Sequence, residues 1–211
     1  MTRFIWLAAP AAMTVAAFAP AAHGIVNWSN PTGSNSLFSW AGGYEDNGFY
    51  GDPTVTTNGF AFTTPNFFAV NPGNPSITDT LHVNVTVQPG QTITDVAIYE
   101  IGTRSSTNRT TIQGTLHLAD LTNGGPDQVY SLTYTNDSGS PITWNGSAFA
   151  TSLPFGAGIT FHLDLTNNLS ALLAGQNIHK SGVEIVFTPA PGALAMAGIA
   201  ALTLGGRRRV R

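Results

Sequence analysis

From Leu81 to Val87 the chain alternates aliphatic and polar side chains: Leu81, Val83, Val85 and Val87 are separated by His82, Asn84 and Thr86. A period of two puts one set on each face of a β-strand, so this segment is expected to have one buried and one solvated side. A second strand is expected to carry Ile93, Val96, Ile98 and Ile101. Pro89-Gly90 between the two reads as a tight turn, which predicts a hairpin. Further strand-like segments recur at 24–29, 58–70, 110–121, 128–136, 147–153, 158–167 and 182–189, separated by turn-rich stretches such as TNGGPDQ and TNDSGSP. Eight or nine short strands predict an all-β chain: a single antiparallel β-sandwich, jelly-roll or Ig-like, with a barrel as the alternative. One segment, 168–177, reads as helical, because Leu169, Leu172 and Leu173 have helical spacing and Gly175 would end the turn. Residues 30–56, rich in Gly, Asn and aromatics, read as a long loop system or a pair of short strands.

The two ends differ from this body. The start has an early cation, Arg3, then an apolar run from Phe4 to about Phe18, then small residues, which is the layout of a secretory signal peptide over residues 1–24. Ala21 and Gly24 are the two candidate cleavage positions, and signal peptidase is the implied partner. At the other end, Ala190 to Gly206 is a stretch of 17 residues with no charge, followed by Arg207, Arg208, Arg209 and Arg211. As a helix it would span roughly 25 Å, close to a hydrocarbon core, and the arginines would be held on the cytoplasmic side as a membrane stop. Export followed by an anchor predicts three parts: signal peptide 1–24, sandwich domain 25–188 and tail 189–211.

Charge and composition sharpen this. The chain has 211 residues and a formal net charge of −3. Between residues 25 and 188 the cations are only Arg104, Arg109 and Lys180, against all eleven acids, which gives a body charge of −8. Such a body has no basic footprint for nucleic acid. The absence of cysteine excludes disulfides, thiol catalysis and thiolate metal sites. At its length the body buries enough surface to fold without staples, roughly 68–70% of what the unfolded chain exposes.

The tail resembles the PEP-CTERM sorting signal of exported bacterial proteins. The matching residues are Pro189-Ala190-Pro191 with Gly192, then GALAMAGIAALTLGG, then RRRVR. The chain departs from that family at Ala190, where the motif usually has Glu. The resemblance covers the last 23 residues or so and does not extend to the body. It implies a C-terminal transmembrane helix held transiently in the inner membrane. It also implies recognition by an exosortase-like membrane protease and release to the cell surface or to extracellular polysaccharide. A plain C-terminal anchor is the alternative reading of the same residues.

Candidate chemistry in the body is sparse. No metalloprotease, nucleophile-elbow, phosphate-loop or EF-hand motif is present, so no catalytic residue is assigned and a non-enzymatic structural or adhesive role is expected. His82, His117 and His162 each lie between apolar neighbours and are expected on the polar faces of their strands. If those strands are adjacent, the imidazoles can converge on a divalent metal with Asp120 or Asp164 as a fourth ligand. Glu45, Asp46 and Asp52 gather oxygens in one loop and are candidate Ca²⁺ ligands. Trp28, Trp40, Tyr44 and Tyr50 are candidates for stacking on sugar rings, against the alternative that they fill the core. A glycan-binding or calcium-dependent adhesion module is thus the second functional reading. An extracellular hydrolase using a carboxylate pair such as Glu100 and Glu184 is the third. Those two carboxylates are otherwise expected to face outward.

Overall fold

The computed structural model describes residues 24–137 and 139–190. The expected signal segment, apart from Gly24, and the tail beyond Ala190 lie outside the described residues. The elements are β1 (Val26–Asn27), β2 (Gly33–Ser34), β3 (Phe38–Glu45), β4 (Thr54–Thr56), β5 (Gly59–Thr63), β6 (Phe68–Asn71) and β7 (Ser76–Val87) in the first half. They continue as β8 (Ile93–Arg104), β9 (Thr110–Asp120), β10 (Gln128–Ser131), β11 (Thr133–Asn136), β12 (Ile142–Ala150), β13 (Thr160–Ala171) and β14 (Gln176–Pro189). Among the described residues there is no helix, so none is long and apolar enough to cross a membrane.

Two antiparallel sheets of seven strands face each other as a sandwich. The first runs β1-β3-β7-β13-β9-β10, with β2 on β3, and the second runs β11-β12-β8-β14-β5-β4, with β6 on β14. The eight long strands β3, β5, β7, β8, β9, β12, β13 and β14 alternate strictly between the two sheets. An Ig-like order keeps several consecutive strands in one sheet, so it is not the order found. The expected hairpin at Pro89-Gly90 is corrected for the same reason. The apolar faces of β7 and β8 are buried on opposite sides of one core, so the short connection arches from one sheet to the other.

The period of two holds where it was read. On β7 the residues Leu81, Val83, Val85 and Val87 are buried, and on β13 the same phase buries Phe161, Leu163, Leu165, Leu169 and Ala171. That phase explains why residues 168–177 are not helical. Leu169 and Ala171 continue the inward face of β13, Leu172 and Leu173 stay exposed, and Gly175 at φ 81° lets the chain turn into β14. The stretch 30–56 also holds more order than expected, since β3 pairs with the whole end of β7. A bulge at Gly42-Gly43, with Gly42 at φ 66°, shifts the phase of β3 so that Tyr44 points out and Glu45 points in. The segment 128–136 is split at Leu132, whose side chain enters the core while β10 and β11 join different sheets.

Aromatic rings dominate one end of the core. Phe187 meets Phe38 edge-on at 5.0 Å and Phe161 at 5.9 Å, and Phe38 meets Phe60 at 5.3 Å. Rings at these distances add to the area that they bury. Truncating Phe187→Ala removes the ring that contacts both sheets. Chemical denaturation is expected to show a loss of about 3–5 kcal/mol. Val129→Thr, on the exposed strand β10, is expected to change stability by about 0.5 kcal/mol or less.

Candidate functional site

Among the described residues, chemistry-bearing side chains gather on the outer face of the first sheet and inside the sandwich. On the outer face β13 lies between β7 and β9, and Asp164 is directly opposite both His82 and His117. His162, two residues before Asp164, shares its face. The strands that carry the three histidines are thus adjacent, as the metal reading required.

Asp164 is the hub. His82 Nδ1 and His162 Nε2 lie 2.6 and 2.7 Å from its Oδ1, and His117 Nδ1 lies 3.4 Å from Oδ2. His82 Nε2 reaches Asp46 at 3.2 Å, His117 Nε2 reaches Asp127 at 3.2 Å, and His162 Nδ1 meets Asn84 Oδ1 at 2.6 Å. Tyr44 stacks on the His82 ring at 4.3 Å. Burial alone would raise the Asp164 carboxyl. The hydrogen bond and charge of His162, with help from His82, hold it down at about 2. The same hydrogen bond raises His162 against the opposing effect of burial.

Among the described residues, ligand atoms of His82, His162 and Asp164 all lie within 4.8 Å of one another, close enough to share a metal ion. Atoms around a tetrahedral ion with metal–nitrogen bonds of 2.0–2.1 Å stand roughly 3.3 Å apart. The contacts of 2.6 and 2.7 Å to Asp164 have hydrogen-bond spacing, so an ion would have to spread them. Of the two carboxylates named as fourth ligands, Asp164 is at the site. Asp120 instead closes its own turn, accepting from the amides of Thr122 and Asn123 at 2.9 Å each.

The loop acids go three ways. Glu45 is buried and accepts from the amides of Tyr50 at 2.8 Å and Gly51 at 3.3 Å. Asp46 faces His82, and Asp52 accepts from the amide of Ser29 at 2.6 Å. Burial pushes Glu45 up to about 8, with the nearby Asp79 adding to the rise. Of the sugar-stacking candidates, Trp28, Trp40 and Tyr50 are core residues, closed off from any ring outside, and only Tyr44 reaches the surface. Among the described residues the exposed aromatics are instead Phe68, Tyr99 and Phe149, the last two in edge contact at 5.7 Å on the outer face of the second sheet.

The interior cluster was not foreseen. Glu100 on β8 points inward while Glu184 on β14 points out, so the two cannot act as a carboxylate pair. Glu100 Oε1 lies 2.8 Å from Lys180 Nζ, and both side chains are sealed from solvent. Lys180 Nζ also donates to Asn167 Oδ1. Asn167 Nδ2 donates to Glu100 Oε2 at 3.3 Å, and Tyr134 donates to the same oxygen at 3.1 Å. The Tyr50 hydroxyl lies 2.6 Å from Asn167 Oδ1 and 2.8 Å from the Leu165 carbonyl. Lys180 Nζ sits between the rings of Phe67 and Tyr50, at 5.0 and 5.3 Å from their centroids. Burial pulls Lys180 down to about 8, opposed by Glu100.

A signal for this cluster lies in the phase of the strands. Asn167 stands where β13 should bury a sixth apolar residue, between Leu165 and Leu169, and Glu100 follows Val96 and Ile98 in the inward phase of β8. Lys180, the only lysine in the chain, follows the buried Ile178. The phase of β14 slips at a bulge between Lys180 and Gly182, so Val183 and Ile185 are buried as well.

The outer cluster makes stability depend on pH. The raised His162 contributes fully below its ordinary value of 6.5 and less as pH climbs through its folded value. The depressed Asp164 contributes fully above 3.8 and less as pH falls towards about 2. Asp164→Asn is expected to return His162 towards its ordinary titration in a histidine NMR titration. It is also expected to cost about 1–2 kcal/mol near pH 5.5 and less at pH 8.

The chain matches no family model, no curated protein and no solved structure.

Proposed function

We propose that this is an exported bacterial protein of the cell surface or extracellular matrix, with a structural or adhesive rather than catalytic role. On this reading a signal helix directs export and the tail from Pro189 acts as a PEP-CTERM-like sorting signal. A transmembrane helix holds the protein at the inner membrane until an exosortase-like protease processes it. The body would be of jelly-roll-like winding, since its long connections cross between the sheets.

One observation carries this reading: the end of the fold coincides with the start of the sorting motif. β14 runs to Pro189, and the amide of Ala190 still bonds to the Thr92 carbonyl at 3.0 Å. A cut within Pro189–Gly192 would therefore leave the sandwich whole. The outer His–Asp surface is compatible with this role, because it lies on an open sheet face. A glycan-binding reading is favoured at one place only, the exposed Tyr99–Phe149 pair, whose rings are free to stack on a sugar.

Intact mass spectrometry on membrane and extracellular fractions of the native host tests the sorting reading. A mature extracellular chain starting near residue 22 or 25 and ending near residue 190 is expected. A chain that keeps residues 193–211 and stays in the membrane would leave a plain C-terminal anchor.

A further inference from the structure

A buried lysine, a buried asparagine and a buried carboxylate in mutual hydrogen-bond contact are the parts of an amide-forming reaction. We propose that Lys180 and Asn167 join spontaneously into an intramolecular isopeptide bond, with Glu100 as the proton-transfer group, stapling the two sheets together. The inference goes beyond the sorting reading and is independent of it.

The geometry supplies each requirement. The nucleophile must be a neutral amine, and Glu100 Oε1, 2.8 Å away, is placed to take its proton. Burial between Phe67 and Tyr50 already disfavours the ammonium form. The electrophile is Asn167 Cγ, whose Oδ1 accepts from Nζ and stands 2.6 Å from the Tyr50 hydroxyl, a donor placed for developing negative charge. The other carboxylate oxygen of Glu100 lies 3.3 Å from the leaving nitrogen, Asn167 Nδ2. One carboxyl therefore touches both the attacking and the departing nitrogen.

The step balances without any other reactant. The Lys180 ammonium passes a proton to Glu100. Nζ attacks Cγ, and the carbonyl electron pair moves onto Oδ1. Glu100 gives its proton to Nδ2 and, again a carboxylate, takes the second proton from Nζ. The electron pair returns from Oδ1, the Cγ–Nδ2 bond breaks, and ammonia leaves. An ion pair and a primary amide become a secondary amide, a neutral carboxylic acid and ammonia, so no unpaired charge stays buried. That relieves the cost of holding two ions in a dry core. The core also fixes the reacting groups in contact, replacing an encounter in solution. Asn167 belongs to β13 and Lys180 to β14, in opposite sheets, so the bond is a covalent tie in a chain without cysteine.

Because Lys180 is the only lysine, tryptic digestion of the denatured full-length chain reads the outcome directly. The peptide that begins at Thr110 is expected to run through Lys180 uncut and to weigh one ammonia less than its sequence. Glu100→Gln is expected to slow bond formation by roughly 10²–10⁴-fold, leaving Lys180 cleavable and the full mass in freshly made protein. Lys180→Arg gives the unlinked reference. Cleavage after Lys180 in the wild-type chain at full mass would overturn the proposal. So would a loss of ammonia with Lys180 still cleavable, since that marks a succinimide at Asn167 and not a cross-link. Equal linkage in Glu100→Gln would overturn the role of Glu100.

Discussion

A lysine removed from water must find a counter-charge and acceptors for its protons, and much of this sandwich is arranged around that need. Lys180 comes from β14, its counter-ion Glu100 from β8 and its acceptor Asn167 from β13, so both sheets contribute. Each of these residues displaces an apolar side chain from an inward position, which is a costly substitution unless all polar atoms are matched. Neighbouring sequence makes room for the match. Gly114 is directly opposite Asn167, and a Cβ there would lie 2.4 Å from Asn167 Nδ2 and 2.3 Å from the Tyr134 hydroxyl. Gly146 does the same for the Tyr134 ring, with a contact of 2.4 Å. Tyr50 arrives from the loop after β3, whose amides are held by the buried carboxylates of Glu45 and Asp79.

The polar chemistry of the protein is thereby divided by the sheets. Inside, the Lys180–Glu100 ion pair is sealed from solvent beside the rings of Phe67 and Tyr50. Outside, Asp164 gathers His82, His117 and His162 across three strands that share a solvated face. The outer group is an electrostatic clasp, sensitive to pH and screened by salt, and the inner group, sealed from solvent, is screened far less. The two lie on opposite sides of β13, Asp164 outward and Asn167 inward.

Much of the fold was legible because one face of each long strand is apolar. The period of two gave β7, β13 and the last strand, and it placed the three histidines outward. Pairing was less accessible. The Pro89-Gly90 turn looks the same in sequence whether it closes a hairpin or an arch, because both bury the same faces, and only the opposing sheet decides. The helical spacing of Leu169, Leu172 and Leu173 arose from a strand end followed by an exposed turn. The aromatic cluster misled in the same way, since composition does not say which side of a strand Trp28, Trp40 and Tyr50 occupy. For β3 the bulge at Gly42-Gly43 decides that Glu45 and not Tyr44 is inside. The interior triad was hidden because Glu100 lies far in sequence from Asn167 and Lys180, and only the pairing of the two sheets brings their inward positions together.

The presence of one lysine allows one decisive spectrum. With ¹⁵N introduced only at the lysine Nζ, the folded chain yields a single side-chain nitrogen signal. A cross-linked core gives an amide-type resonance with one attached proton, correlated with the side-chain carbonyl carbon of Asn167. An ammonium or free-amine resonance would contradict the cross-link, and the centre of the sandwich would then be an ion pair and nothing more.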